Sequence, residues 1–258
     1  MLGVIGGSGF YTFFGSDARA FSLDTPYGPP SAPITVGSVG DHEVAFLPRH
    51  GASHEFSPHT VPYRANMWAL RELGVRRILA PCAVGSLTPD LGPGAIVVPD
   101  QLVDRTSGRA ATYFDSGGVH VSFADPYCPA LRAVIAEMPG VVDGGTMVVI
   151  EGPRFSTRAE SRWFAEQGFT LVNMTGYPES VLALELEMSY AAIALVTDLD
   201  AGIEAGAGVR AVDVFAEFER NLVKLKQLVR DVIDRLGPED TFPMRRPHEG
   251  VELPFELP

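Results

Sequence analysis

Two cysteines in 258 residues, Cys82 and Cys128, are too few for a disulfide framework and fit a reduced, cytoplasmic setting. No apolar run approaches the roughly 20 residues of a membrane span. The opening MLGVIGGSG has neither a basic n-region nor a long apolar stretch, so no signal peptide is expected. Positive charge is also short: 20 Lys and Arg stand against 32 Asp and Glu, a formal net charge of −12. That balance argues against nucleic acid as a partner, which wants a basic face, and leaves room for a small anion held by a few local donors. Internal repeats and linker-like stretches are missing too. The length suits one large α/β domain, or at most two small ones.

What is present is ample apolar material, 46% of the chain, arranged in short β-branched runs: LGVI (2–5), ITVG (34–37), EVAFL (43–47), RILA (77–80), AIVV (95–98), TMVVI (146–150), TLVN (170–173) and AAIALV (191–196). Amphipathic stretches at 61–74, 129–138, 157–168 and 178–189 alternate with several of them and read as helices. Such alternation predicts an α/β fold with a largely buried central sheet flanked by helices. A hairpin at Gly40-Asp41, between two closely spaced runs, makes the sheet mixed. The strongest helix is 211–236, where Phe215, Phe218, Leu222, Leu225, Val229, Val232 and Leu236 form one stripe. Residues 237–258 are proline-rich, yet Val251, Leu253, Phe255 and Leu257 alternate with Glu252, Pro254 and Glu256. This predicts an extended tail with one apolar face, packed on the 1–236 domain or on a neighbouring subunit.

Five strand ends carry residues with chemistry. VIGGSGF (4–10) starts a dinucleotide fingerprint, but Thr12 stands where the third glycine belongs; an anion nest with the Ser8 hydroxyl is the stronger reading, and a plain tight turn stays open. LPRHGASHEFSPH (47–59) supplies Arg49, a planar fork suited to phosphate, and His50 as an added donor. A zinc site on His50 and His54 competes with that, though a third ligand is not evident. APCAVGSL (80–87) lets backbone approach a ligand at Cys82-Ala83; Cys82 is a nucleophile or, as lone cysteines more often are, a small buried residue. IEGPRFSTRAES and LVNMTGYPES bring Phe155, Ser156, Met174 and Thr175 to two helix starts. In VTDLDAG, alternation puts Asp198 and Asp200 on one side of a strand with Leu199 behind. Two carboxylates at the mouth of a buried strand are costly unless they hold something. In an open α/β sheet all five segments meet in the crevice beyond the strand ends.

Taken in order, GVIGGSG, PRHG, PYRANMWAL, GSL, PDQLVDRT, EGPRFSTRAES, NMTGYPE and TDLD resemble the methylthioadenosine phosphorylase branch of the trimeric nucleoside phosphorylases, from the first residues to about 236. The resemblance implies one α/β domain around a mixed, twisted sheet, usually in a homotrimer, cleaving an N-glycosidic bond with inorganic phosphate as co-substrate and with no cofactor or metal. It implies a phosphate site at Ser8, Arg49, His50, Ala83 and Thr175, with Cys82 standing where the family has threonine. It implies a nucleoside site of Phe155, Ser156 and Met174, with Asp198 and Asp200 as catalytic, base-reading carboxylates. Val212 and Phe215 are expected to wall the 5′ substituent, and His120 to reach a neighbouring subunit's site. A 6-oxopurine phosphorylase and a non-catalytic nucleoside-binding protein are the competing readings. A D-x-D metal phosphatase is a weaker one.

Overall fold

In the computed structural model the described residues are 1–258 without 8–9, 11–13, 15–17, 207, 239–241 and 244–245. The β-branched runs become strands β1 (Leu2–Gly6), β3 (Ile34–Val39), β4 (His42–Pro48), β5 (Arg77–Ser86), β6 (Ile96–Val98), β9 (Thr146–Ile150), β10 (Leu171–Asn173) and β11 (Ser189–Leu199). Three further strands were not expected: β2 (Arg19–Phe21), β7 (Gln101–Arg105) and β8 (Val141–Asp143). Each is short or polar and largely exposed, so it lacks the apolar signature and forms because a neighbour offers a ladder. All eleven described strands join one mixed sheet.

Alternation along β11 divides the core. Tyr190, Ala192, Ala194 and Val196 face a cluster with α1 (Tyr63–Glu72) and α4 (Gly176–Glu185), while Ala191, Ile193 and Leu195 face α2 (Pro129–Ala136) and α5 (Ala211–Arg235). Helix α3 (Arg158–Glu166) covers the outer strands through Phe164, against Val148 and Val172. This is the expected three-layer α/β arrangement. α4 ends at Glu185 rather than 189, because Glu187 is left-handed (φ 55°) and Ser189 already belongs to β11. No described helix is long and apolar enough to cross a membrane.

The sheet opens where it matters. On one side β11 follows β5 along its whole length, from Arg77 to Ser86. On the other, β1 pairs only Arg77–Leu79 and β10 only Gly85 and Ser86. Between them β5 has no strand neighbour on that side among the described residues. Pro81 sits in this gap, where its missing N–H interrupts no ladder. The carbonyls there turn to side chains instead: Arg49 Nη1 donates to Pro81 O at 3.2 Å and Asn173 Nδ2 to Ala83 O at 3.0 Å.

The described part of the tail lies over the α1 side. The Phe255 ring is 5.6 Å from both Trp68 and Phe114, and His248 Nε2 contacts Glu185 O at 2.7 Å. Val251, expected on the packed face, is 44% exposed.

Candidate active site

A cavity of about 310 Å³ fills the gap between β1 and β10. Among its lining residues are Gly7, Arg49, His50, Cys82, Ala83, Phe155, Ser156, Met174, Thr175, Asp198, Asp200 and Phe215, so all five strand-end segments converge. Ser8 falls outside the described residues. His120 is exposed and does not line the cavity in this single chain. Val212 does not line the cavity and is 64% exposed. The lining face of α5 is Ala211, Val214, Phe215 and Phe218, spaced i, i+3, i+4, i+7. The expected pair Val212 and Phe215 mixes two faces, and Val214 takes the place given to Val212.

At the end nearest β1, Arg49 is buried and largely committed. Nε and Nη2 grip both carboxylate oxygens of Glu179, Nη2 also donates to Ile5 O at 3.2 Å, and Nη1 to Pro81 O. Burial alone would lower the Arg49 pKa; the Glu179 carboxylate outweighs that and holds it above the ordinary value. Glu179 also accepts from Tyr190 OH at 2.9 Å. The planar fork expected to clasp phosphate is thus spent on Glu179. Of five N–H donors, one on Nη1 has no partner among the described residues.

His50 Nδ1 lies 2.8 Å from Phe56 O. A carbonyl only accepts, so Nδ1 carries the proton. Burial, then the Arg49 charge, lower the ring's pKa to about 4. His50 is therefore neutral, and Nε2 presents a lone pair rather than the donor expected. Its ring stacks on His54 at 4.6 Å, and His54 meets Phe215 edge-on at 5.9 Å. Stacked imidazoles do not chelate a common ion, and the described residues contain no group of three metal-ligating side chains. Cys82 is buried beside Arg49, and burial pushes its thiol up to about 12, which leaves it a small neutral wall rather than a nucleophile. Thr175 stands just before α4, where Asn173 Oδ1 accepts from the N–H groups of Thr175 and Gly176, both at 2.7 Å.

The opposite end belongs to the carboxylates. β11 bulges between Val196 and Asp198, which adds Thr197 to the lining and re-aims Asp198. Asp198 and Asp200 share the cavity as alternation predicts, and Leu199 does not line it. Burial raises the Asp198 pKa to about 6, against a Thr197 hydroxyl donating at 2.8 Å, with nearby Asp200 adding to the rise. Asp200 is fixed by the Ser161 hydroxyl at 2.6 Å, and its own N–H donates to Ser86 O at 2.9 Å. Gly85 forms the floor. A Cβ there would lie 2.9 Å from Val172 Cγ1 and 3.1 Å from Asp198 Oδ1. The Ser156 hydroxyl is buried in this end with no partner among the described residues.

A family model described as the phosphorylase superfamily matches residues 2–236. The S-methyl-5′-thioadenosine phosphorylase of Mycolicibacterium smegmatis is 80% identical over 258 residues, covering all of both chains. The chain belongs to the methylthioadenosine phosphorylase family. Within the superfamily it is also 52% identical, over 249 residues, to a purine nucleoside phosphorylase of Streptomyces coelicolor, covering 91% of this chain and 89% of that one. The solved methylthioadenosine phosphorylase of Schistosoma mansoni in complex with adenine is 37% identical, with a TM-score of 0.86 and 90% of each chain covered. The family member described here relies on residues the motifs did not flag. Glu179 and Asn173 left a signal: a carboxylate in the run PESVLALELEMS must find a partner, and an asparagine three residues before a helix start can cap it. Tyr190, Ser161 and Thr197 left none.

Proposed function

We propose that the chain cleaves 5′-methylthioadenosine with inorganic phosphate, releasing adenine and 5-methylthioribose-1-phosphate. The observation that carries this is one cavity with two unlike ends: a carboxyl raised to about 6 at Asp198, and a charged guanidinium with an N–H to spare at Arg49, beside Thr175. As the C1′–N9 bond lengthens, positive charge grows on the sugar and negative charge on the purine. Phosphate beside the sugar stabilises the first charge and supplies the attacking oxygen; the Asp198 proton meets the second at N7. The electron pair of the broken bond stays with the purine, which leaves neutral. The proton shed by hydrogen phosphate as the ester forms restores the Asp198 carboxyl through solvent. The balance closes without a covalent enzyme intermediate, a metal or a cofactor.

Asp200, held by Ser161, orients Asp198 or meets the exocyclic amine. The unpartnered Ser156 hydroxyl faces the base beside Phe155, Met174 lies under the ribose, and Cys82 and Ala83 back the phosphate. Phe215 and Val214 meet the methylthio group. In our reading the enzyme works as a homotrimer in which His120 of one subunit completes a neighbour's 5′ pocket, and the free buried Cys82 and Cys128 support a cytoplasmic location. The second reading, a 6-oxopurine phosphorylase, would take inosine or guanosine instead. A phosphorolysis panel of methylthioadenosine, adenosine, inosine and guanosine, with and without phosphate, tests both. Phosphate-dependent release of adenine is expected; cleavage of inosine alone would favour the second reading, and no turnover would leave only binding.

A further inference from the structure

We propose that Thr197 is the positioning residue of the acid: its one hydroxyl proton turns from the Val84 carbonyl to Asp198 Oδ2 as that carboxyl gives its proton to the leaving purine. The inference rests on the phosphorolytic reading above.

The strand makes the contact possible. On a regular strand neighbouring side chains point to opposite faces, so Thr197 would turn away from Asp198. β11 does otherwise. Val196 stands opposite Val84 and Asp198 opposite Gly85, and Thr197 between them has no partner in that ladder. The extra residue brings both side chains into the lining of one cavity. Thr197 is buried there, so solvent does not compete for its hydroxyl.

That hydroxyl has two calls on one proton. Thr197 Oγ1 lies 2.8 Å from Asp198 Oδ2 and 3.2 Å from Val84 O. A hydroxyl donates once, and a carbonyl and a carboxylate both accept. An ionised carboxylate is the stronger acceptor and takes the proton; a neutral carboxyl leaves the carbonyl in contention. Asp198 Oδ1 accepts from no described residue and lies over Gly85, which has no side chain to cover it. Thr197 thus holds one oxygen and leaves the other to carry the acid proton. That proton passes from Oδ1 to N7, the electron pair of the C1′–N9 bond goes to the purine, and no bond to Thr197 breaks, since its O–H only rotates. The hydrogen bond tightens as charge forms on Asp198, so it favours the transition state over the ground state. The other titratable groups in the lining are Asp200 on the same strand, Cys82 on β5, and Arg49, His50 and His54 beyond β4; the described helices bring none. Burial raises the Asp198 pKa, the Thr197 hydroxyl holds it down, and Asp200 adds to the rise.

The pH dependence of methylthioadenosine cleavage at saturating phosphate tests this. Thr197→Val keeps the side-chain shape and removes the hydroxyl. The active form has Asp198 protonated, so kcat/KM falls as pH rises through its pKa. Without the hydroxyl the ionised form loses support, and the falling limb should move up by about one pH unit. On the acid side of that limb kcat should drop about tenfold, with KM within about twofold. The variant is then slower yet keeps its activity to higher pH, and Thr197→Ser restores both rate and limb. A part played in folding alone would lower Tm and leave the limb in place. Should the valine variant not fold, Thr197→Ala set against Thr197→Ser makes the same comparison. A limb that stays where the parent has it, or a serine variant as slow as the one without a hydroxyl, overturns the proposal. Phosphorolysis with an unmoved limb defeats only this inference, whereas methylthioadenosine left uncleaved in phosphate by the unaltered enzyme defeats the reading beneath it.

Discussion

At one end of the cavity Arg49 sits against Glu179, which in turn holds Tyr190, and the charges cancel inside the protein. At the other, Asp198 is half-buried near a second carboxylate with one hydroxyl donating to it, and the Ser156 hydroxyl has no described partner. The ion pair at the first end is compensated before any ligand arrives. The second is left wanting a proton and a partner, a state that costs folding free energy and suits an acid poised to protonate a leaving base. The two ends should therefore answer mutation with opposite signs: disturbing the compensated end lowers stability, and neutralising the uncompensated end raises it while removing catalysis.

The largest effect should come from breaking the compensated end. Glu179→Ala leaves a buried guanidinium alone, at a cost of about 3–5 kcal/mol. For a chain of this size that lowers Tm by roughly 10 °C or more. Thermal melting reads it directly; a Tm within experimental error of the parent would mean that solvent reaches Arg49 and that this end is not closed as described.

Asp198→Asn is the converse. Loss of the acid should lower kcat/KM on methylthioadenosine by about 10²–10³ and raise the relative use of inosine-type substrates, since an amide can both donate and accept. Stability should move the other way. The folded pKa, about 6, lies above the unfolded value. Between about pH 4 and 6 the native state then binds more protons than the unfolded state, so stability is full below pH 4 and is lost as pH rises through 6. The loss is about 2–3 kcal/mol at most, and Asp198→Asn should be free of it. Melting curves from pH 4 to 8 should be flatter in the mutant and cross the parent's; parallel curves would show that Asp198 is not the strained group.

How much of this was legible in the sequence follows the same division. Strand cores such as TMVVI showed themselves because burial on both faces demands continuous apolar residues, and β2 and β8 did not because edge pairing makes no such demand. Asp198, Asp200, Arg49 and His50 stood out as polar groups at strand ends. What they do to one another did not. Nothing in PRHG says that the Arg49 fork is already taken, because Glu179 lies 130 residues away. Nor does the sequence say which nitrogen of His50 is bare, since a single backbone carbonyl in a loop decides it. Spacing shows which residues meet; partners, burial and proton positions need the fold.

The smallest effect concerns the wall of the cavity, where a two-residue difference in register separates expectation from structure. Val212 and Val214 lie about 200° apart around α5, so only one of them can face the ligand. Val214 lines the cavity and Val212 is 64% exposed. Val214→Ala removes apolar area from a pocket proposed to hold a methylthio group, worth about 1 kcal/mol, and should raise the KM for methylthioadenosine about fivefold. The KM for adenosine, whose 5′ hydroxyl gains little from a valine, should rise less. Alanine is a good helix former, so neither variant should unfold α5. Val212→Ala should leave both KM values within about twofold, as surface substitutions usually do. Steady-state kinetics on the two substrates with the two variants decide it. If Val212→Ala raises the methylthioadenosine KM and Val214→Ala does not, the opposite face of α5 meets the substrate, and the wall drawn here from Ala211, Val214, Phe215 and Phe218 is wrong.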